Sequence, residues 1–246
     1  AARIGRAQAG AKGQDAAGNG QPTLEPMGVA AETPSPSFLE IDAKRRLVFA
    51  ANELDQFEGK PGGSVSSFAI DPATGKLKFL NARPSGGAGP CHVLLDKSGK
   101  NLFVANYNGG NFSVIRVEAD GHLGATTAFI QNEGRGPTPN QNGPHAHCVT
   151  LDAANKFAFV CDLGIDKVLI YHFDADKGTL TPAAQPFAAL KPGSGPRHLT
   201  FRPDGKFAYV LNELAATVTT FAYNASTGAL TEVDTVSSLP ADYTGR

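Results

Sequence analysis

From Pro36 onward the apolar residues fall in short runs separated by polar turns, not in stripes of helical period. Phe38-Leu39-Glu40-Ile41, Val93-Leu94-Leu95, Cys148-Val149-Thr150-Leu151 and Leu199-Thr200-Phe201 each lead into a polar turn. A second run, richer in aromatic and β-branched residues, follows each turn: Leu47-Val48-Phe49-Ala50, Leu102-Phe103-Val104-Ala105, Phe157-Ala158-Phe159-Val160 and Phe207-Ala208-Tyr209-Val210. Each ends in an amide or acid, at Asn52, Asn106, Asp162 or Asn212. The third run alternates, as in Ser64–Ile70 and Thr217–Phe221, which is the period of a strand with one wetter face. Turn sequences such as Asp71-Pro72-Ala73-Thr74-Gly75 and Asn224-Ala225-Ser226-Thr227-Gly228 precede a fourth short strand, as at Lys76–Leu80 and Ala229–Thr235. No window of ten or more residues carries a helical stripe.

The pattern is periodic. Its units start near residues 36, 90, 144 and 196, giving spacings of 54, 54 and 52 residues. Four strands per unit at this period predict an all-β fold, a β-propeller built of four-stranded blades with four full repeats in view. A sandwich leaves the repeat unexplained. Residues 23–246 are thus expected to form an incomplete propeller, with one strand over Thr23–Ala30 before the first full blade. Residues 1–22, rich in Ala, Gly, Gln and Asn, show no periodicity and are expected to be disordered, because they bury too little apolar surface to offset their ordering entropy.

Composition narrows the classes. With 41% apolar and 18% charged residues the chain reads as a globular protein with a core. A net charge of −1 and no long basic stripe argue against nucleic-acid binding, and Lys44-Arg45-Arg46 reads as a solvated turn. No stretch approaches the roughly 20 apolar residues that span a bilayer, so no membrane partner is expected. Arg3 and Arg6 are followed by no apolar segment of the secretory kind. Three cysteines, none in a C-x-x-C spacing, predict reduced thiols and a cytoplasmic location.

Candidate chemistry follows from blade geometry. In a blade the first strand lines the channel and the second runs back beside it, so the start of one and the end of the other share a face. By this count Ser37, Cys91, His147 and Arg197 are equivalent, as are Glu53, Tyr107, Leu163 and Glu213. The third unit has a longer lead-in, Gly143-Pro144-His145-Ala146-His147, which adds His145. The expected polar ring comprises His92, His145, His147, Arg197, His198 and Glu213, with Glu53 and Asn106 beside it. Imidazole, guanidinium and carboxylate groups converging on one mouth suit acid–base work on an anionic substrate. His145-x-His147 would place both rings on one strand face, but no acidic pair or nearby Cys completes a metal set, so no metal is expected. Gly59-Lys60-Pro61-Gly62-Gly63-Ser64 lacks the helix that a phosphate loop requires. No G-x-S-x-G elbow is present.

Gly143-Pro144-His145-Ala146-His147, Gly195-Pro196-Arg197-His198 and Tyr209-Val210-Leu211-Asn212-Glu213, in this order and with matching blade turns, resemble the lactonase family of seven-bladed propellers. That family includes propeller-type 6-phosphogluconolactonases and the fungal carboxymuconate lactonizing enzyme, and the likeness runs from about Thr23 to Arg246. The resemblance implies a site with His147, Arg197 and Glu213 at the matching, catalytic positions and His145 adjacent. With the polar ring, it is expected to be metal-free and cofactor-free, with His145, His198, His92 and Asn106 contacting substrate. It also implies seven blades, of which four are seen, and a second site arginine outside this chain. The expected function is hydrolysis of a sugar-acid lactone, 6-phosphogluconolactone first, with Arg197 binding an anionic substrate group or stabilising the oxyanion and His147 or Glu213 activating water. His147 is preferred as the base because an unperturbed imidazole titrates near neutrality. The alternatives are a lactonizing cyclase acting on a muconate-type dicarboxylate and a non-catalytic interaction propeller.

Overall fold

The computed structural model describes residues 2–9 and 24–245. Strands β1 (Ala2–Ala9) and β2 (Leu24–Thr33) pair antiparallel, so Ala2–Ala9 forms a strand where the sequence offered no period. The remainder of the stretch expected to be disordered lies outside the described residues. β2 extends three residues past the expected Ala30, and Ala31 packs on Val48, Ala50 and Phe68.

Four antiparallel four-stranded sheets follow, one for each repeat. The first contains β3 (Pro36–Asp42) and β4 (Leu47–Asn52); a small hairpin, β5 (Gln56–Phe57) and β6 (Lys60–Pro61), precedes β7 (Ser64–Ile70) and β8 (Leu77–Pro84). The hairpin turns on Glu58 and Gly59, at φ 51° and 75°, and so occupies the loop that superficially resembled a phosphate-binding segment. The second sheet is β9 (Pro90–Leu95), β10 (Asn101–Asn106), β11 (Asn111–Val117) and β12 (Leu123–Gln131). The third is β13 (Ala146–Leu151), β14 (Phe157–Asp162), β15 (Lys167–Asp174) and β16 (Thr179–Ala189). The fourth is β17 (Pro196–Phe201), β18 (Phe207–Asn212), β19 (Thr217–Asn224) and β20 (Ala229–Ser237). The third sheet starts at Ala146, two residues beyond the repeat mark at Pro144, and its lead-in loop contains a short 3₁₀ turn at Pro139–Gln141.

Why the blades stack is written in the second strands. In β10 the side chains of Leu102 and Val104 join Leu47, Phe49 and Ala51 of the first blade, while Phe103 and Ala105 join Ala158 and Val160 of the third. In β14 the other set, Phe157, Phe159 and Cys161, packs on Ala208 and Val210 of the fourth. Successive side chains of a strand point to opposite faces, so a strand covered on both sides reads as a continuous apolar run. β18 keeps only one of its faces covered: Ala208 and Val210 are buried, whereas Leu211 on the other face is 39% exposed. The first strands β3, β9, β13 and β17 lie side by side along the inner edges of the sheets.

Burial on both faces sets the cost of truncation. Phe159→Ala, at a fully buried interblade position, is expected to destabilise by about 3–5 kcal/mol in urea unfolding. Ile41→Ala, at a position 59% exposed, should cost less than about 1 kcal/mol in the same measurement. Equal losses would contradict the interblade core.

Candidate active site

Each first strand carries a β-bulge at the same place. The pairing steps from Pro36↔Asn52 to Phe38↔Ala51, from Pro90↔Asn106 to His92↔Ala105, from Ala146↔Asp162 to Cys148↔Cys161, and from Pro196↔Asn212 to His198↔Leu211. The skipped residues are Ser37, Cys91, His147 and Arg197. A bulge leaves one residue unpaired and re-aims its side chain, and here all four side chains line one cavity of about 320 Å3. Glu53, Tyr107 and Glu213, from the ends of the second strands, line it as well, together with Phe38 and His198. The amides of Glu53, Tyr107, Leu163 and Glu213 donate to the carbonyls of Ser35, Gly89, His145 and Gly195 at 2.9, 2.8, 2.9 and 2.8 Å, which fixes the exit of every second strand against the lead-in of its own first strand.

The residue after each bulge forms a layer beneath: Phe38, His92, Cys148 and His198. Phe38 packs on the His92 ring at 4.3 Å between centroids, and His92 Nε2 lies 3.7 Å from Cys148 Sγ. The ligating atoms of His92, Cys148 and His198 lie within 4.8 Å of one another, a set that the sequence pattern did not reveal because its members come from three blades. Among the described residues it is these three that could hold a metal, rather than His145 with His147. The amide of Val149 donates to His92 Nδ1 at 3.5 Å, and His92 Nε2 faces the sulfur.

Arg197 Nε and Glu213 Oε2 form an ion pair at 2.7 Å across the cavity wall. With side chains 40% and 46% exposed, this pair adds little stability, and its effect is to orient the guanidinium and carboxylate. His147 is buried at the wall, its Nδ1 enclosed without a partner. Burial first, then the Arg197 guanidinium and the His198 ring, push its pKa down to about 3. The near-neutral titration that favoured His147 as the base is therefore lost on folding. His198 is lowered by burial and by Arg197. Cys91 donates to the His147 carbonyl at 3.4 Å, and burial with the Glu53 charge raises its thiol to about 12, which removes it as a nucleophile.

Of the residues expected at the site, His147, Arg197, His198 and Glu213 line the cavity. His145 stands beside it, stacked on Tyr107 at 4.5 Å with Nδ1 3.0 Å from the Tyr107 carbonyl oxygen. His92 lies in the layer below, where burial and the neighbouring His198 and His147 rings lower its pKa to about 3. Asn106 is fully buried, donating to Ser85 O at 3.1 Å and Asn111 Oδ1 at 2.8 Å, so it braces the end of β10 rather than reaching the cavity. Asn52 and Asn212, at the same place in their blades, likewise bond to Ser64 and Ser66 and to Thr217 and Thr219. Phe38 and Tyr107 complete the wall; Phe38 was hidden in an apolar run with nothing to separate it from core.

The His147 environment has a measurable consequence. An unfolded imidazole titrates near 6.5 and the folded ring near 3, so between these values the unfolded state binds more protons. This contribution is fully present above pH 6.5 and is lost as the pH falls toward 3. His147→Gln is expected to flatten the dependence of unfolding free energy on pH over that window in urea titrations. An unaltered slope would mean that His147 titrates normally.

Comparison with known proteins agrees with this geometry. Residues 16–246 match the family described as "Lactonase, 7-bladed beta-propeller". The chain is 33% identical over 216 residues to the 6-phosphogluconolactonase of Bacillus subtilis (strain 168), covering 88% of this chain and 59% of that protein. It is 32% identical over 189 residues to the 6-phosphogluconolactonase of Formosa agariphila, covering 76% and 52%. The structure of the Pseudomonas aeruginosa periplasmic gluconolactonase PpgL superposes with a TM-score of 0.85 at 32% identity, covering 93% of this chain and 64% of that one. The chain thus spans about half to two thirds of the length of these relatives. Blade architecture, repeat and match together place this chain in the lactonase family of seven-bladed β-propellers.

Proposed function

We propose that this chain carries the Arg197–Glu213 portion of a lactonase site that hydrolyses a sugar-acid lactone without a metal, with 6-phosphogluconolactone the first substrate to assay. The observation that carries the reading is the convergence of four bulge residues from four blades on one cavity, with an oriented guanidinium–carboxylate pair in its wall. The names of the Bacillus and Formosa relatives and of the Pseudomonas neighbour support the same class of substrate. Among the described residues lining the cavity, Arg197 is the one guanidinium.

Glu213 is the better base. Its carboxylate stands at the cavity wall 2.7 Å from Arg197 Nε, whereas an imidazole with its pKa near 3 draws a proton from water weakly. Water, losing its proton to Glu213, adds to the lactone carbonyl carbon. The remaining N–H groups of Arg197 stabilise the oxyanion of the tetrahedral intermediate. The ring C–O bond then breaks and the proton returns from Glu213 to the departing alkoxide, giving the hydroxy acid. The neutral rings of His147 and His198 act as hydrogen-bonding walls for the substrate. The free thiols of Cys91, Cys148 and Cys161 support a reducing, cytoplasmic setting, although the Pseudomonas relative is periplasmic by name; among the described residues no helix is long and apolar enough to cross a membrane.

Arg197→Ala and Glu213→Gln are each expected to lower kcat/KM for lactone hydrolysis about a hundredfold, the loss typical of removing one charge-stabilising group. His147→Ala should cost about tenfold, chiefly through KM, as a lost substrate contact. Rates corrected for spontaneous hydrolysis that are unchanged in all three variants would sink this site.

A further inference from the structure

We propose that Asp166 is a positioning residue for the Arg197–Glu213 pair. It sits in the turn between β14 and β15, in the third blade, in the left-handed region at φ 54°, and only 6% of it is exposed. Its carboxylate reaches across the blade boundary. Oδ1 accepts the Gly195 amide at 2.8 Å and Oδ2 accepts the Gly193 amide at 2.7 Å. Gln141, fully buried, donates to Oδ1 at 2.8 Å and to the Leu163 carbonyl at 2.8 Å, so the carboxylate is itself held from behind.

Gly195 is the point from which both members of the pair hang. Two residues after it comes the bulge residue Arg197, and its carbonyl accepts the amide of Glu213 at 2.8 Å. Gly193 and Gly195 adopt φ values of 84° and 64°, and a Cβ on Gly195 would lie 2.5 Å from Leu214 Cγ, so the loop has one backbone path. Backbone of this kind relaxes unless its surroundings hold it. The comparable amide in the second blade, Gly89, is held by a backbone carbonyl, that of Leu54, at 2.9 Å. In the fourth blade a side chain has taken over that task. One side chain of the third blade thereby governs the placement of two charged groups in the fourth, and a substitution can remove it.

The inference rests on the lactonase reading only for its kinetic arm. Asp166→Asn preserves shape but turns an amide N–H toward one of the two backbone donors. It is expected to lower kcat/KM for lactone hydrolysis about tenfold while the unfolding midpoint moves by a few degrees. In a Glu213→Gln background the same change should lower kcat/KM less than twofold, because the pair it positions is already broken. Losses that multiply in the double variant would assign Asp166 a general structural role and overturn the proposal. The second arm is hydrogen exchange. In Asp166→Asn the amides of Gly193, Ser194, Gly195 and Glu213 should exchange at least tenfold faster, with β9–β12 unaffected. If the unaltered chain hydrolyses no lactone, the catalytic reading fails and exchange alone decides the positioning; unchanged exchange at Glu213 would overturn it. Should Asp166→Asn not fold, Gln141→Glu, which places a second carboxylate against Asp166, is expected to give the same local exchange pattern.

Discussion

The structure depends on one local constraint repeated four times: a bulge one residue into each inner strand. Antiparallel pairing alone would alternate side chains between the two faces of every blade, and those faces are taken up by interblade packing. A residue that pairs with nothing is free of that alternation and turns toward the channel. Ser37, Cys91, His147 and Arg197 owe their shared cavity to this device. Each inner strand has one bulge and the chemistry is whatever side chain stands there, so four copies of a scaffold hold a hydroxyl, a thiol, an imidazole and a guanidinium.

Burial and charge then divide the labour among those groups. Cys91 and His147 sit deep enough that their charged forms are disfavoured, and Arg197 adds to the penalty on the imidazole. Arg197 and Glu213 lie nearer solvent and keep each other oriented. Arg197 and Glu213 both come from the fourth blade, while the other three blades contribute a hydroxyl, a thiol, an imidazole, the Tyr107 ring and the carboxylate of Glu53. Below, the layer of Phe38, His92, Cys148 and His198 seals the cavity floor with aromatic and sulfur contacts.

The acids and amides that end the second strands show how position and role separate. Asn52, Asn106, Asp162 and Asn212 recur in the sequence as a regular polar mark, and Asn106 drew attention as a substrate contact. All four are buried and spend their side chains on their own blade or its lead-in loop. A polar residue at a fixed point of every repeat serves what every repeat needs, which is a closed strand end. The residue that differs between repeats is the better candidate for chemistry; Arg197 differs from all its counterparts, and Glu213 from those of the second and third repeats.

The alternation of apolar and polar residues, repeated at a near-constant spacing, was enough by itself to determine the blades, their boundaries within a few residues, and which positions are equivalent, because strand period and turn chemistry are local properties. Counting back from each turn also grouped Ser37, Cys91, His147 and Arg197. Tertiary structure alone decided the rest. The bulge is a one-residue step in register that leaves no mark in hydrophobicity, and the depressed basicity of His147 comes from neighbours brought in by other blades. The stacking of His145 on Tyr107 and the reach of Asp166 to Gly195 likewise join residues far apart in the chain. Sequence spacing reports what a segment does with itself; the field and the contacts at a site are sums over segments that only the packed blades bring together.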